Sequence, residues 1–315
     1  MHIAIISDTH FGDDKSALVM PNGAEIILGH KYNALKEAVG THNDYLVLAG
    51  DILDFSIAPY EKAYKYAQVF FRQAKKDSLA EEYIYLAGNH DADIWHSVQH
   101  QRSVINKLSK GALPESYQHA VAGIIDDRTT VPEACRGLTL NLVTPHSQGT
   151  KYGGMFLDNI AQDARFNFAY PNLYIVTDTD SVLVTHGQYL EPYWAILGEF
   201  ATKIAADDLK LSALDIEKMV ELNFPSSQLA CTGIGQAGLL TETIIRPVEV
   251  AVKANNLVQV KKISRAPERD TRCFDCVRMA QKNRAGLPCQ ETESRCAGHA
   301  SNHAEDALPQ RLLYG

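Results

Sequence analysis

Four short apolar runs break the polar background of the chain, at residues 3–7, 45–49, 83–87 and 181–184, and each stops at a polar turn. Near-continuous apolar runs of this length predict strands covered on both faces. Between the first three, residues 29–40 and 60–82 read as helices, the second carrying Ala63, Ala67, Phe70, Phe71 and Ala74 on one side. The alternation predicts a βαβαβ start with a parallel sheet. A helix is expected over 94–108, a polar stretch follows through Pro132, and sheet-like segments at 138–143 and 173–176 predict a second sheet. After His186 the pattern turns helical over 192–206, 214–222 and 239–254. This block, about residues 190–256, reads either as a helical cap beside a binding crevice or as helices that cover a sheet face or make a dimer contact. Tyr189, Glu191, Tyr193 and Trp194 are candidates for a pocket wall.

The residues that end the four runs carry the chemistry. They are Asp8-Thr9-His10, Gly50-Asp51-Ile52-Leu53-Asp54, Gly88-Asn89-His90-Asp91 and Thr185-His186-Gly187. Open α/β sheets bind ligands beyond the carboxyl ends of their strands, so four such turns can converge on one crevice. Taken singly, each has a plain explanation: an Asp after a strand also caps a helix. Taken together, they supply carboxylate, amide and imidazole donors for two metal ions. His96 and His100, four residues apart on an expected helix, share a face and have the spacing of a metal pair, but no carboxylate motif accompanies them, and a solvated face is the expected reading. His146, at the end of the 138–143 segment, is a weaker candidate for substrate contact.

These motifs resemble, in order, the first four blocks of the calcineurin-like metallophosphoesterase superfamily: D-x-H, G-D-x-x-D, G-N-H-[DE] and a His-Gly after a strand. The resemblance implies an α/β fold in which two stacked mixed β-sheets are flanked by helices, an αββα sandwich. It implies two divalent metal ions (Mn, Fe, Zn, Co or Ni), with Asp8 and His10 on the first, Asp51 bridging both, and Asn89 and His186 on the second. The implied reaction is hydrolysis of phosphoric esters, most of all phosphodiesters, by a hydroxide shared between the metals. His90 corresponds to the family's non-ligand histidine and is expected to assist the leaving group. Asp54 is expected to orient a ligand imidazole or the His90 ring through a hydrogen bond, and Asp91 to act similarly or to form a turn.

The family's fifth block, G-H-x-H, is missing. The nearest match is Gly298-His299-Ala300-Ser301-Asn302-His303, two residues out of spacing. If that segment folds back, His299 is the candidate for the second metal and His303 for the first. Residues 264–315 differ in kind from the metallophosphoesterase domain expected over 1–263. They hold seven arginines and four of the six cysteines, Cys273, Cys276, Cys289 and Cys296, with no helical or strand period. Three readings stay open: a structural zinc site, a disulfide-bonded tail, or a non-native or disordered stretch such as sequence read in another frame.

Composition narrows the classes. With 22% charged and 45% hydrophobic residues over 315 positions, the chain is an ordinary globular sequence. No apolar run reaches the roughly 20 residues that cross a bilayer, and Met1 leads straight into a core strand without a leader peptide. A cytoplasmic location follows as the expectation. The formal net charge of −8 gives no support to nonspecific nucleic-acid binding, so the expected partner is a small phosphate ester, with a homo-oligomer left open. The alternative class is a protein-interaction scaffold of the same fold that has lost its metals.

Overall fold

The structure, a computed structural model, describes residues 1–138, 159–161, 164–204 and 215–234 and positions 247, 250, 251, 254–256 and 258. Two units divide the chain, Met1–Pro247 and Val248–Gly315. In the second, the described residues show a turn in which Ala254 N–H donates to the Val250 carbonyl (2.9 Å) and Asn256 N–H to that of Ala251 (2.8 Å). The expected tail 264–315, His146 and most of the expected helix 239–254 lie outside the described residues.

The first unit is built on two sheets. One has the order β1 (Ile3–Ile6), β4 (Asn43–Ala49), β5 (Ala80–Leu86), β8 (Arg165–Phe168), with every pairing parallel. The other has the order β10 (Ser181–Thr185), β9 (Asn172–Val176), β6 (Gly123–Asp126), β7 (Gly137–Leu138) and is mixed: β6 and β9 are parallel, the outer pairs antiparallel. A hairpin of β2 (Val19–Asn22) and β3 (Glu25–Leu28) stands apart. Helices α1 (Tyr32–Val39), α2 (Tyr60–Lys76) and α3 (Ala92–His100) make the crossovers.

Period-two alternation in β4 and β5 feeds two separate cores. Leu46, Leu48, Tyr83 and Tyr85 face the helices and join Phe70, Phe71, Phe166 and Phe168. Val47, Ala49, Ile84 and Leu86 face the other way and pack on Ile125, Ala169, Leu173 and Val184 of the second sheet's side. That inter-sheet core is what stacks the sheets, as the α/β sandwich expectation required. The helix-side core is aromatic. Phe70 of α2 is fully buried, with ring centroids 5.0 Å from Phe11, 5.2 Å from Phe71 and 6.0 Å from Tyr32. Truncating it leaves a cavity that three rings cannot close. Phe70→Ala is expected to lower unfolding stability by about 3–5 kcal/mol, read from urea denaturation midpoints at unchanged m-value. A loss under about 1 kcal/mol would show that the rings repack.

Several elements differ from the sequence expectation. The 29–40 segment is helical only from Tyr32, because residues 19–28 form the hairpin. The 60–82 helix stops at Lys76, and β5 begins at Ala80. The 94–108 segment breaks at His100 into a π-helical stretch, Gln101–Ile105, and one further turn, Asn106–Leu108. The polar stretch before Pro132 contains β6, and β8 was not expected at all. Beyond His186, helices span Ile196–Ile204 and Ile216–Gln228, the latter running through Pro225. Among the described residues no helix is long and apolar enough to cross a membrane.

Candidate metal centre

Three of the four motifs leave the parallel sheet at the carboxyl ends of adjacent strands, β1, β4 and β5, and the fourth leaves β10 of the second sheet. Past the end of β1 the chain stays laced to the turn after β4: Asp8 N–H donates to Gly50 O (3.1 Å), His10 N–H to Asp51 O (3.0 Å) and Phe11 N–H to Ile52 O (2.8 Å). These bonds hold an unusual backbone. Asp8, His10 and Asp51 have φ of 55°, 46° and 53°, a region that side-chain-bearing residues visit at a cost of about 1–3 kcal/mol. Three such residues within one crevice place strain where ligands are presented.

Asp91, at the residue before α3, ties the turns together. Its carboxylate accepts from the backbone N–H of Ile52 (2.8 Å), Leu53 (3.3 Å) and Gly88 (2.6 Å) and from Tyr85 Oη (2.5 Å). Burial, reinforced by the Asp51 charge, pushes its pKa up to about 6.

Asp54 and two histidines form the next layer. One carboxylate oxygen accepts from His10 Nδ1 (2.9 Å), the other from His90 Nδ1 (3.0 Å), Ser56 N–H (3.1 Å) and Ser56 Oγ (2.6 Å). Burial raises the Asp54 pKa, but the imidazole bonds outweigh it and hold the carboxyl well below the usual range. In return, the Asp54 bond is the main cause of a raised His10 pKa; for His90 burial is the largest influence and lowers the pKa, but the Asp54 bond together with the Asp51, Asp54 and Asp91 charges raises it overall. With both Nδ1 atoms turned to Asp54, each ring presents Nε2 to the crevice. The two rings meet edge to face at 5.1 Å.

Asp51 is 4% exposed and central. Its Oδ1 accepts the His90 N–H (2.8 Å), and its Oδ2 lies 3.4 Å from His186 Nε2 and 3.9 Å from His90 Nε2. His186 Nδ1 donates to Ala49 O (3.1 Å), which turns Nε2 toward Asn89 Oδ1 (3.1 Å) as well. Nε2 of that tautomer, the amide oxygen and the carboxylate oxygen are all acceptors, and three acceptors converge without a donor among them. Only a cation or a proton between them makes the arrangement favourable. The proton's share is visible: burial lowers the His186 pKa, yet Asp51 lifts it to about 9. A divalent ion satisfies the same three atoms, so the donors present fit a metal.

Two groups of side chains bring ligand atoms to within 4.8 Å of one another: His10, Asp51 and His90, and Asp8, Asp51 and His186. Asp51 belongs to both. The five expected metal ligands, with His90 and Asp54, meet in one crevice, Asn89 through His186 and Asp54 through His10, although Asp8, 3.9 Å from His10 Nε2, also groups with His186, and His90 groups with potential ligands. Sequence reasoning passed over Ser56, whose hydroxyl lies 2.6 Å from His90 Nδ1, and Cys231, whose buried thiol donates to Asn89 O (3.2 Å). Ser56 follows the second motif directly; nothing in the sequence links Cys231 to Asn89. The proposed pocket-wall residues divide. Tyr189 is buried with its hydroxyl 2.5 Å from that of Tyr170, a core position, whereas Tyr193 is exposed and packs edge-on against Trp194 at 5.0 Å.

The family model for calcineurin-like phosphoesterases matches residues 1–194. No curated protein and no solved structure matches the chain. The matched span contains every residue of the crevice described above except Cys231. With the motifs, the two stacked sheets and the converging donors in agreement, the chain belongs to the calcineurin-like phosphoesterase family, and its His and Asp cluster supports metal-dependent hydrolysis of phosphoric esters.

Proposed function

We propose that the chain is a binuclear phosphoesterase acting on small phosphodiesters, with monoesters or triesters as side substrates. The observation that carries this reading is the place of Asp51 in both donor groups. One carboxylate shared by two donor groups is an arrangement that would serve a pair of ions. Asp8 and His10 on one side of Asp51, and Asn89 and His186 on the other, are the ligands we assign. Bound there, two divalent cations would polarise the phosphoryl oxygens and lower the pKa of water; manganese is the ion we favour, in a cytoplasmic setting.

The chain's own residues do the rest. Asp51 and His186, just past the carboxyl ends of β4 and β10, would hold the ions against which the phosphoryl group is placed. His90, clamped by Asp54 and Ser56, is the proton donor to the departing alkoxide from Nε2, and Asp54 stabilises its imidazolium form. The two oxygens of Asp54 lock His10 and His90 together, so the two rings keep a fixed geometry. Enzymes of this kind lose about 10–100-fold when such an orienting carboxylate is removed.

The pH behaviour follows in sign. Asp54 raises the His90 pKa, so the protonated acid persists to higher pH in its presence. In Asp54→Asn the acidic form is lost earlier, and the alkaline limb of the kcat profile should move to lower pH, with kcat down roughly 10–100-fold. An unmoved limb would remove His90 as the acid.

The primary test is hydrolysis of bis(p-nitrophenyl) phosphate by chelator-stripped protein, before and after Mn²⁺ addition. Activity restored by metal supports the reading. No activity with any divalent ion would leave the chain as a scaffold of the same fold.

A further inference from the structure

A second group of imidazoles lies outside the crevice and takes no part in its chemistry. His96 and His100 are one turn apart on α3, their rings nearly parallel, with an interplanar angle of 12° and centroids 6.4 Å apart. The segment that returns after the π-helical stretch lays Tyr117 edge-on against both, 5.4 Å from His96 and 6.3 Å from His100. Two residues on, the His119 ring lies 6.1 Å from Tyr117. Trp95 Nε1 donates to the His119 carbonyl at 2.9 Å and pins this segment to α3. The face is therefore flanked by aromatic rings, with His100 exposed. His96 and His119 are half-buried, and among the described residues neither ring has a hydrogen-bond partner.

We propose that His96, His100 and His119 form a second metal site, taking a borderline divalent ion such as Zn²⁺, Ni²⁺ or Cu²⁺ and fastening the Tyr117–His119 segment to α3. The i, i+4 pair on one helix face is the spacing by which two imidazoles reach one ion. His100 Nδ1 is engaged by Tyr117 Oη at 2.8 Å, which fixes the ring and leaves Nε2 for the metal, as an outer-layer partner does. A ligand imidazole must be neutral. Burial, with the nearby His100 and His119, lowers the His96 pKa, so its lone pair is available at neutral pH. The three rings are not already drawn within 4.8 Å as the crevice groups are, so the ion closes the triangle by side-chain rotation.

The ligand set separates this site from the crevice. Three imidazoles without a carboxylate suit zinc, nickel or copper and discriminate against manganese, which favours oxygen donors. Chelator-stripped protein is therefore dialysed against Zn²⁺ in a large excess of Mn²⁺, and zinc is counted by elemental analysis. Wild type and Asp51→Asn are each expected to retain one zinc equivalent more than the same chains carrying His96→Gln and His100→Gln. Zinc is also expected to raise the melting temperature of Asp51→Asn but not of the triple variant. Equal zinc contents with and without the two histidines overturn the proposal. Should the double replacement misfold, His100→Gln alone, at an exposed position, is expected to weaken zinc binding at least roughly tenfold. It should leave Mn²⁺-dependent phosphoesterase activity unchanged, and unchanged zinc affinity in that variant is equally decisive against the site.

Discussion

Asp51→Asn is expected to lower kcat/KM on bis(p-nitrophenyl) phosphate by roughly 10²–10³-fold, the scale on which losing one preorganised charged group in an active site is felt. Asn keeps the shape and one acceptor oxygen, so the Asp51 Oδ1 bond from His90 N–H survives. What goes is the negative charge common to both donor groups. In the metal-free fold burial works against the same charge, but His186 and His90 outweigh it and hold the Asp51 carboxyl below its ordinary range, while Asp51 in turn lifts His186 to about 9. Its removal is therefore expected to lower the metal-free melting temperature at neutral pH, where His186 and His90 lose that partner. The paired outcome, a folded protein that binds less metal and hardly turns over, separates loss of the site from loss of the fold. Wild-type turnover at saturating Mn²⁺ in this variant would sink the shared-carboxylate reading, and the variant doubles as the control for contaminating enzymes.

Gly50→Ala should be nearly as damaging, for a geometric reason. A Cβ on Gly50 would lie 2.3 Å from both Cγ and Nδ1 of His186 and 2.6 Å from its Cβ. Gly50 also has φ of +89°, which a side chain resists. The ring must leave its place against Ala49 O, Asn89 and Asp51, and the expected loss of activity is about 10–100-fold or more, with about 1–3 kcal/mol of stability lost to backbone strain. Gly23→Ala separates the two effects. Gly23 has φ of +63° with nothing within 4 Å of its Cβ, so it suffers strain without a clash. That variant should lose stability and keep full activity; an equal loss of activity in both would mean that the His186 contact is irrelevant.

The sequence revealed most where burial on both faces left no ambiguity. The runs ending at Ala49 and Ala87 are apolar because each residue meets one of two cores, and their turns carry the donors, so strand, turn and candidate ligand were legible together. Shorter elements were not. The β2–β3 hairpin carries Pro21 and Asn22 in its first strand, which mask its period, although the two-residue turn Gly23-Ala24, with positive φ at Gly23, was a readable signal. β8, Arg-Phe-Asn-Phe, alternates but is only four residues long and depends on β5 for its register. The pairing of Asp54 with both His10 and His90 was only half anticipated, because a motif spacing fixes which residues are near, not how one carboxylate divides its oxygens. Cys231 against Asn89 was invisible for the plainer reason that it is a contact across 142 positions of chain.

His186 belongs to the second sheet, while Asp51 and Asn89 belong to the first. The cluster of acceptors thus straddles a seam packed with hydrocarbon from Val47, Ala49, Leu86, Leu173 and Val184 and crossed by the bond from His186 Nδ1 to Ala49 O. Catalytic competence in this molecule consequently works as a strain gauge for sheet docking. A shift of the two layers by a fraction of an ångström, too small to register in circular dichroism or melting temperature, changes the His186 Nε2 distances of 3.1 and 3.4 Å directly.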